Sequence, residues 1–318
     1  MTSIIKPKPL RRGDAISVVV PAGPVNRERI DRALTRVAER GLRIKTYGDI
    51  YRSCGYLAGD DATRADELMA AFSDPETSAV WCARGGYGVV RLLERIDFNV
   101  IRKNPKVFVG FSDITILHCA IQQRTGLITF HGPNLQDGFG KPDEMPAANE
   151  ASLWQAVGDN ANEDGYRFDL SGVTGAAMST IGGGVARGRL TGGNLAVLCG
   201  LMGTPCEMDT TGRILFIEDV SERVYRVDRY LSQLSISGKL KSAAGVLVGT
   251  FSYDAEDEPD SETAVRAVVE EYLRPLRIPV LAGFPAGHTS DNLTLPMGAM
   301  VEMDANRQTL TVCERPTE

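Results

Sequence analysis

Histidine is scarce in this chain, with three among 318 residues, and no H-E-x-x-H pairs two of them on one helix. That absence excludes the helical zinc-hydrolase pattern. Six cysteines are scattered at positions 54, 82, 119, 199, 206 and 313, and none forms a C-x-x-C pair. A zinc ribbon or dithiol redox motif is therefore not expected, and the cysteines read as free core residues of a cytosolic protein. No apolar run approaches the roughly 18 residues that a membrane span needs. The opening MTSIIKPKPLRRGDAISVVV lacks a long apolar stretch ending at a small-residue cleavage site, so a cytoplasmic location is the expectation. A net charge of −6 leaves no basic stripe and argues against nucleic acid as a partner. Small anionic or zwitterionic substrates remain compatible, because a local site can oppose the global charge. The acidic stretch 254–258 lacks the spacing of a calcium loop and reads as solvated surface. No metal and no cofactor is expected.

What is present is an ordinary globular composition, 43% hydrophobic and 24% charged, in a chain long enough for two domains. Strands and helices alternate from the start. AISVVVPAG is a buried strand with a Pro/Gly turn, followed by a helix with Ile30, Leu34 and Val37 on one face, closed by Gly41. Ala65, Leu68, Met69 and Phe72 stripe a second helix. AVWCAR, KVFVG and LITFHG are further strands, and Ile114, Leu117 and Ile121 form the inner stripe of the helix between the last two. This alternation predicts a parallel sheet with helices on both faces. Periodicity fades between 134 and 184, apart from a short helix around Trp154. We expect an N-terminal α/β domain over 1–165, a linker over 166–184 and a β/α domain over 185–318. The latter carries the strands RILFIEDV and AAGVLVGTF, two striped helices, and a terminal hairpin turning at Asp304 to Arg307.

The chemistry concentrates at VFVGFSDITILHCAIQQ, where a strand turns through Gly110-Phe111-Ser112-Asp113 straight into a helix. A serine at that corner is pushed out at the carboxyl end of the sheet, where open α/β folds bind ligands. Backbone N–H groups at the helix start can hold a negative oxygen beside it. The same position also suits a plain helix N-cap. The α/β-hydrolase elbow G-x-S-x-G is not matched, because Ile114 stands where its second glycine would be.

A nucleophilic serine needs a base. His118 lies inside the following helix and reads as packed. His131, in HGPN, is either substrate-facing or structural. His288 sits in the glycine- and proline-rich loop PAGHTSDN, as a surface residue or as one held in a special geometry. A carboxylate should orient the base. Glu218 ends the apolar run Ile214 to Ile217; Asp219 is its rival, and a salt bridge to Arg226 or Arg229 is the structural alternative. Ser112, Glu218 and His288 form a serine–acid–histidine order. Arg84-Gly85-Gly86-Tyr87-Gly88 follows a strand but lacks the Lys-Ser/Thr of a phosphate loop, and better suits close backbone approach to a bound group.

Together the segments GDAISVVVPAGPV, ARGGYG, GFSD, GRLTGGNLAVLCGLMGTP, LFIEDV and PAGHTSDN resemble the LD-carboxypeptidase family of serine peptidases, also called muramoyltetrapeptide carboxypeptidases. The resemblance runs from about Leu10 to Gln308. It implies a flavodoxin- or amidotransferase-like N-terminal domain carrying Ser112, and a smaller swivelling β/α domain carrying Glu218 and His288. It further implies an oxyanion hole from the N–H of Asp113 and a glycine of the ARGGYG turn, taken as Gly86 with Gly85 as the open alternative. The implied substrate is a murein tetrapeptide losing its terminal D-alanine in cell-wall recycling, and the implied assembly is a homodimer. Two alternatives stay open: a microcin C-type acyl-nucleotide hydrolase, and a ligand-binding module without chemistry.

Overall fold

The computed structural model describes residues 3–159, 163–171, 173, 178–252 and 261–318; the acidic stretch 254–258 lies outside them. The first half alternates β1 (Ala15–Val19), α1 (Arg27–Glu39), β2 (Arg43–Thr46), α2 (Asp61–Ser73), β3 (Ala79–Cys82), α3 (Phe98–Lys103), β4 (Val107–Gly110), α4 (Thr115–Thr125), β5 (Thr129–His131) and α5 (Ala147–Val157). Every residue of β1, β3, β4 and β5 is buried, as strands covered on both faces require. Asn26 caps α1 by accepting from the Arg29 N–H at 3.1 Å, and Ile30, Ala33 and Val37 face the sheet.

The second half supplies β6 (Tyr166–Arg167), β7 (Ser179–Gly182), β8 (Val185–Asn194), α6 (Leu195–Gly200), β9 (Ile214–Val220), α7 (Val224–Ile236), α8 (Lys239–Ser242), β10 (Gly245–Ser252), α9 (Ser261–Leu273), β11 (Val280–Ala282), β12 (Leu295–Met297), β13 (Met300–Asp304) and β14 (Thr309–Val312). Two sheets result, ordered β12-β5-β4-β3-β1-β2 and β6-β14-β13-β8-β9-β10-β11-β7. The first is parallel except for β12, which returns from the second half to pair antiparallel with β5. In the second, β8, β9, β10 and β11 run parallel and the flanking strands antiparallel. The segment expected as a linker contributes β6 and β7, the two edge strands of the second sheet. The C-terminal hairpin turns where Asp304 Oδ1 accepts from the N–H groups of Asn306 and Arg307.

Helix α4 departs from the one-stripe expectation. Its residues from Thr115 to Gln122 are all buried, because the first sheet covers one side and the second half covers the other. Gln122 Nε2 donates to the Leu190 carbonyl at 3.0 Å, and Thr191 Oγ1 donates to Gln122 Oε1 at 3.0 Å. The polar residues on that second side are thus buried with hydrogen-bond partners. α4 is packed between the two sheets, and Ser112 lies just before it. No described helix is long and apolar enough to cross a membrane. Four cysteines are buried as expected, but Cys54 is exposed, in a short turn bridged to Leu57.

Candidate active site

In the first sheet the strand order reverses at β1 and β3, the switch point where α/β sheets open a crevice at their carboxyl ends. Two loops meet there. The N–H of Gly23, after β1, donates to the Gly85 carbonyl, after β3, at 3.1 Å. Gly86 takes φ = 115°, where a Cβ would come within 3.2 Å of the Gly23 backbone. Glycine is required there by both conformation and space.

Ser112 follows on the neighbouring strand β4. Its backbone is left-handed at φ = 69°, a costly conformation for a residue with a Cβ. Gly110, two residues earlier, gives Ile114 its room: a Cβ on it would meet Ile114 Cγ2 at 2.9 Å. The turn therefore keeps the first glycine of a nucleophile elbow and fills the second position with a buried isoleucine. Asn134 pins the corner by accepting from the Phe111 N–H at 3.2 Å. The Asp113 carboxylate accepts from the Val89 N–H at 2.9 Å, tying the serine turn to the glycine loop. Burial pushes that carboxyl up to about 6. The Ser112 hydroxyl makes no capping hydrogen bond among the described residues, and α4 is preceded instead by a tight turn over Ser112–Ile114.

Glu218 and Asp219 end β9 and, being consecutive in a strand, point to opposite faces. Glu218 is fully buried, and its Oε2 accepts from His288 Nδ1 at 2.7 Å. Two glycines make room for it. A Cβ on Gly287 would lie 2.9 Å from Oε2, and one on Gly249 would lie 3.2 Å from the Glu218 Cβ. Asp219 instead accepts from Asn194 Nδ2, from the Ala196 N–H and from its neighbour Val220. Burial, reinforced by the Glu218 charge, pushes Asp219 up to about 7. Arg226 pairs with Glu222, not with either strand-end carboxylate.

His288 sits beyond β11, so all three groups lie at carboxyl ends of parallel strands. Its ring packs at 4.8 Å from that of Phe111, the residue before Ser112. Burial lowers its proton affinity, but the hydrogen bond and charge of Glu218 outweigh this, and His288 ends above its ordinary value. Ser112 and His288 line one cavity of about 530 Å³ with Gly85 and Gly86. A Cβ on Gly85 would sit 2.7 Å from Ser112 Cβ, so glycine loop and serine are in contact. With Nδ1 on Glu218, the imidazole Nε2 has no protein partner among the described residues.

The other histidines stay out of the cavity. His118 is buried, with Nε2 donating to the Gly110 carbonyl and Nδ1 accepting from Thr129 Oγ1, both at 2.8 Å; burial lowers it to about 4. His131 is fully buried against Phe216 with both ring nitrogens unpaired. Of its two readings, only the structural one fits.

Asparagines do work that sequence reading did not assign. Asn292 Oδ1 accepts from the Gly287 N–H at 3.0 Å, and Asn149 on α5 clamps the same loop, donating to the Ser290 carbonyl at 2.7 Å and accepting from the Asn292 N–H at 3.0 Å. Asn194 joins β8 to β9 through Asp219 and caps α6, while its N–H donates to Thr115 Oγ1 at the start of α4. Of these only Asn194, ahead of the apolar run Leu195 to Leu198, carried a sequence signal, that of a helix cap.

Comparison with known proteins gives consistent results. Residues 16–132 match the family model of the LD-carboxypeptidase N-terminal domain, and residues 187–303 that of its C-terminal domain. A probable murein peptide carboxypeptidase of Bacillus subtilis is 41% identical over 309 residues, covering 96% of this chain and 94% of that protein. Among solved structures, the muramoyltetrapeptide carboxypeptidase of Oxalobacter formigenes superposes with a TM-score of 0.78 at 30% identity, covering 93% of this chain and 97% of the other. A microcin C7 self-immunity protein in complex with aspartyl sulfamoyl adenosine superposes with a TM-score of 0.88 at 25% identity, covering 99% and 100%.

Proposed function

This chain belongs to the LD-carboxypeptidase family, and from that premise we propose that it is a serine-type L,D-carboxypeptidase, removing the terminal D-alanine from murein tetrapeptides in the cytoplasm. The observation that carries the serine mechanism is the Glu218–His288 pair, 2.7 Å apart, opening onto the same cavity as the strained Ser112. The substrate class rests on relatives named as murein peptide and murein tetrapeptide carboxypeptidases.

In the proposed reaction, substrate brings Ser112 Oγ and His288 Nε2 into hydrogen-bond reach, as catalytic contacts often tighten only on binding. His288 takes the hydroxyl proton while Oγ attacks the carbonyl carbon of the penultimate residue. The N–H groups of Asp113 and Gly86 hold the tetrahedral oxyanion. Among the described residues the Gly86 N–H has no protein acceptor, as a free oxyanion donor requires. His288 then gives its proton to the departing amine. Water, deprotonated by His288, releases the acyl group from Ser112. Glu218 fixes the tautomer with Nδ1–H and supports the imidazolium. The proposed assembly is a homodimer, which light scattering on the purified chain checks.

Incubation with a defined murein tetrapeptide, read by mass spectrometry, should yield tripeptide and free D-alanine with wild type. With Ser112→Ala the rate should fall by roughly 10³–10⁶-fold. A near wild-type rate in that variant would remove the serine mechanism. A second reading, hydrolysis of an acyl-nucleotide, draws on the higher TM-score to the microcin self-immunity protein. Cleavage of aminoacyl sulfamoyl adenosine in preference to the tetrapeptide would favour it.

A further inference from the structure

The cavity at Ser112 carries a charge opposite to that of the chain. Its charged side chains, His288 aside, are Arg84, Lys141 and Asp137, two cations against one acid, in a protein of net charge −6. Neither cation has an acidic partner among the described residues. Elsewhere the half-buried arginines Arg40, Arg52 and Arg189 each hold a carboxylate, and so does the fully buried Arg64. Arg84 is half-buried too, but its one side-chain hydrogen bond among the described residues runs from Nη1 to the Pro24 carbonyl, which anchors the guanidinium and leaves its other N–H donors for a ligand. A partly desolvated cation without a counterion is unfavourable unless a ligand supplies the negative charge.

Position narrows the ligand. Arg84 immediately precedes Gly85, which is in contact with Ser112. A peptide residue spans about 3.3–3.6 Å, so the carboxylate of a one-residue leaving group ends that close to the carbonyl under attack. A guanidinium presents paired N–H donors matching the two oxygens of a carboxylate, which a lysine ammonium does not.

We propose that Arg84 binds the free C-terminal carboxylate of the peptide and so restricts Ser112 to removing the last residue, with Lys141, which lines the same cavity, adding charge. This assignment rests on the carboxypeptidase reading above. A peptide amide, or a chain continuing past the scissile bond, offers this site no anion and leaves Arg84 unpaired.

The test compares kcat/KM for one tetrapeptide as its free acid and as its C-terminal amide, in wild type, Arg84→Met and Lys141→Met. Wild type should prefer the acid by about 10–100-fold, the range expected for a charged hydrogen-bonded contact. Arg84→Met should lose that factor on the acid and change little on the amide, so that the preference collapses. Any loosening of the Pro24 contact slows both substrates alike and cancels in the ratio. An unchanged preference in Arg84→Met overturns the assignment, as does a collapse confined to Lys141→Met. Absence of wild-type turnover on the free acid defeats the carboxypeptidase reading itself, an outcome distinct from turnover with an unaltered ratio.

Discussion

The imidazole of His288 lies 4.8 Å from the ring of Phe111, although one belongs to a loop after β11 and the other to the end of β4. This aromatic contact joins the two halves at the wall of the cavity. On one side of it stands the Ser112 corner, on the other the buried Glu218 carboxylate. Asn134 holds Phe111, and Asn149 and Asn292 hold the loop of His288, so each ring is fixed by its own amides.

Replacing Glu218 by Gln keeps the shape and removes the charge that supports the imidazolium. The rate should fall by about 10²–10⁴-fold, less than for Ser112→Ala, with the melting temperature nearly unchanged. Asp219→Ala should do the reverse. It leaves the buried Asn194 amide and the Ala196 N–H without their acceptor, costing about 2–3 kcal/mol in urea unfolding. Full activity in Glu218→Gln with loss in a folded Asp219 variant would exchange the two roles.

The pH profile carries the mark of the same pair. His288 acts as a base only when neutral, and its proton affinity is raised above the ordinary value of 6.5. The acid limb of kcat/KM should therefore have its midpoint above pH 6.5, falling tenfold per unit below it. In Glu218→Gln burial is opposed only by the weaker charges of Asp219 and Asp137, and the midpoint should move down; a midpoint that stays in place contradicts the assignment. The raised value also means that protonated His288 adds stability below about pH 6.5, lost as the pH rises through its folded value.

Gly85→Ala tests the packing of the glycine loop on the nucleophile. The new Cβ would stand 2.7 Å from Ser112 Cβ and 3.2 Å from the Phe111 carbonyl, so Ser112 must move. The rate should drop by about 10²-fold while stability falls by only about 1–3 kcal/mol. Gly200→Ala, whose Cβ would meet nothing within 4 Å, is the control and should leave the rate unchanged. Equal behaviour of the two variants would separate the loop from catalysis.

The two structural histidines should respond oppositely to phenylalanine. His131 buries two unpaired ring nitrogens, so His131→Phe should be neutral or stabilising by about 1 kcal/mol in urea unfolding. His118→Phe strands the Thr129 hydroxyl and removes the bond to the Gly110 carbonyl, and should cost about 2–3 kcal/mol. Comparable losses in both would mean that His131 has partners of its own.

Local pattern determined a good part of this protein. Apolar runs punctuated by Gly and Pro marked β1, β3, β4, β9 and β10, and the abrupt strand-to-helix passage at Gly110–Ile114 marked Ser112, because these features depend on neighbours a few residues apart. Tertiary structure alone decided the rest. Sequence alternation puts Glu218 and Asp219 on opposite faces of β9, but only the approach of Gly249 and Gly287 decides which carboxylate has room to meet His288. Likewise His118, His131 and His288 differ in role through burial and partners contributed by remote strands. The same holds for α4, whose second buried side is explained by a sheet strand whose contacting residues lie 68 and 69 positions further along the chain. Burial and hydrogen bonding are properties of what the folded chain brings near, which periodicity along the chain does not encode.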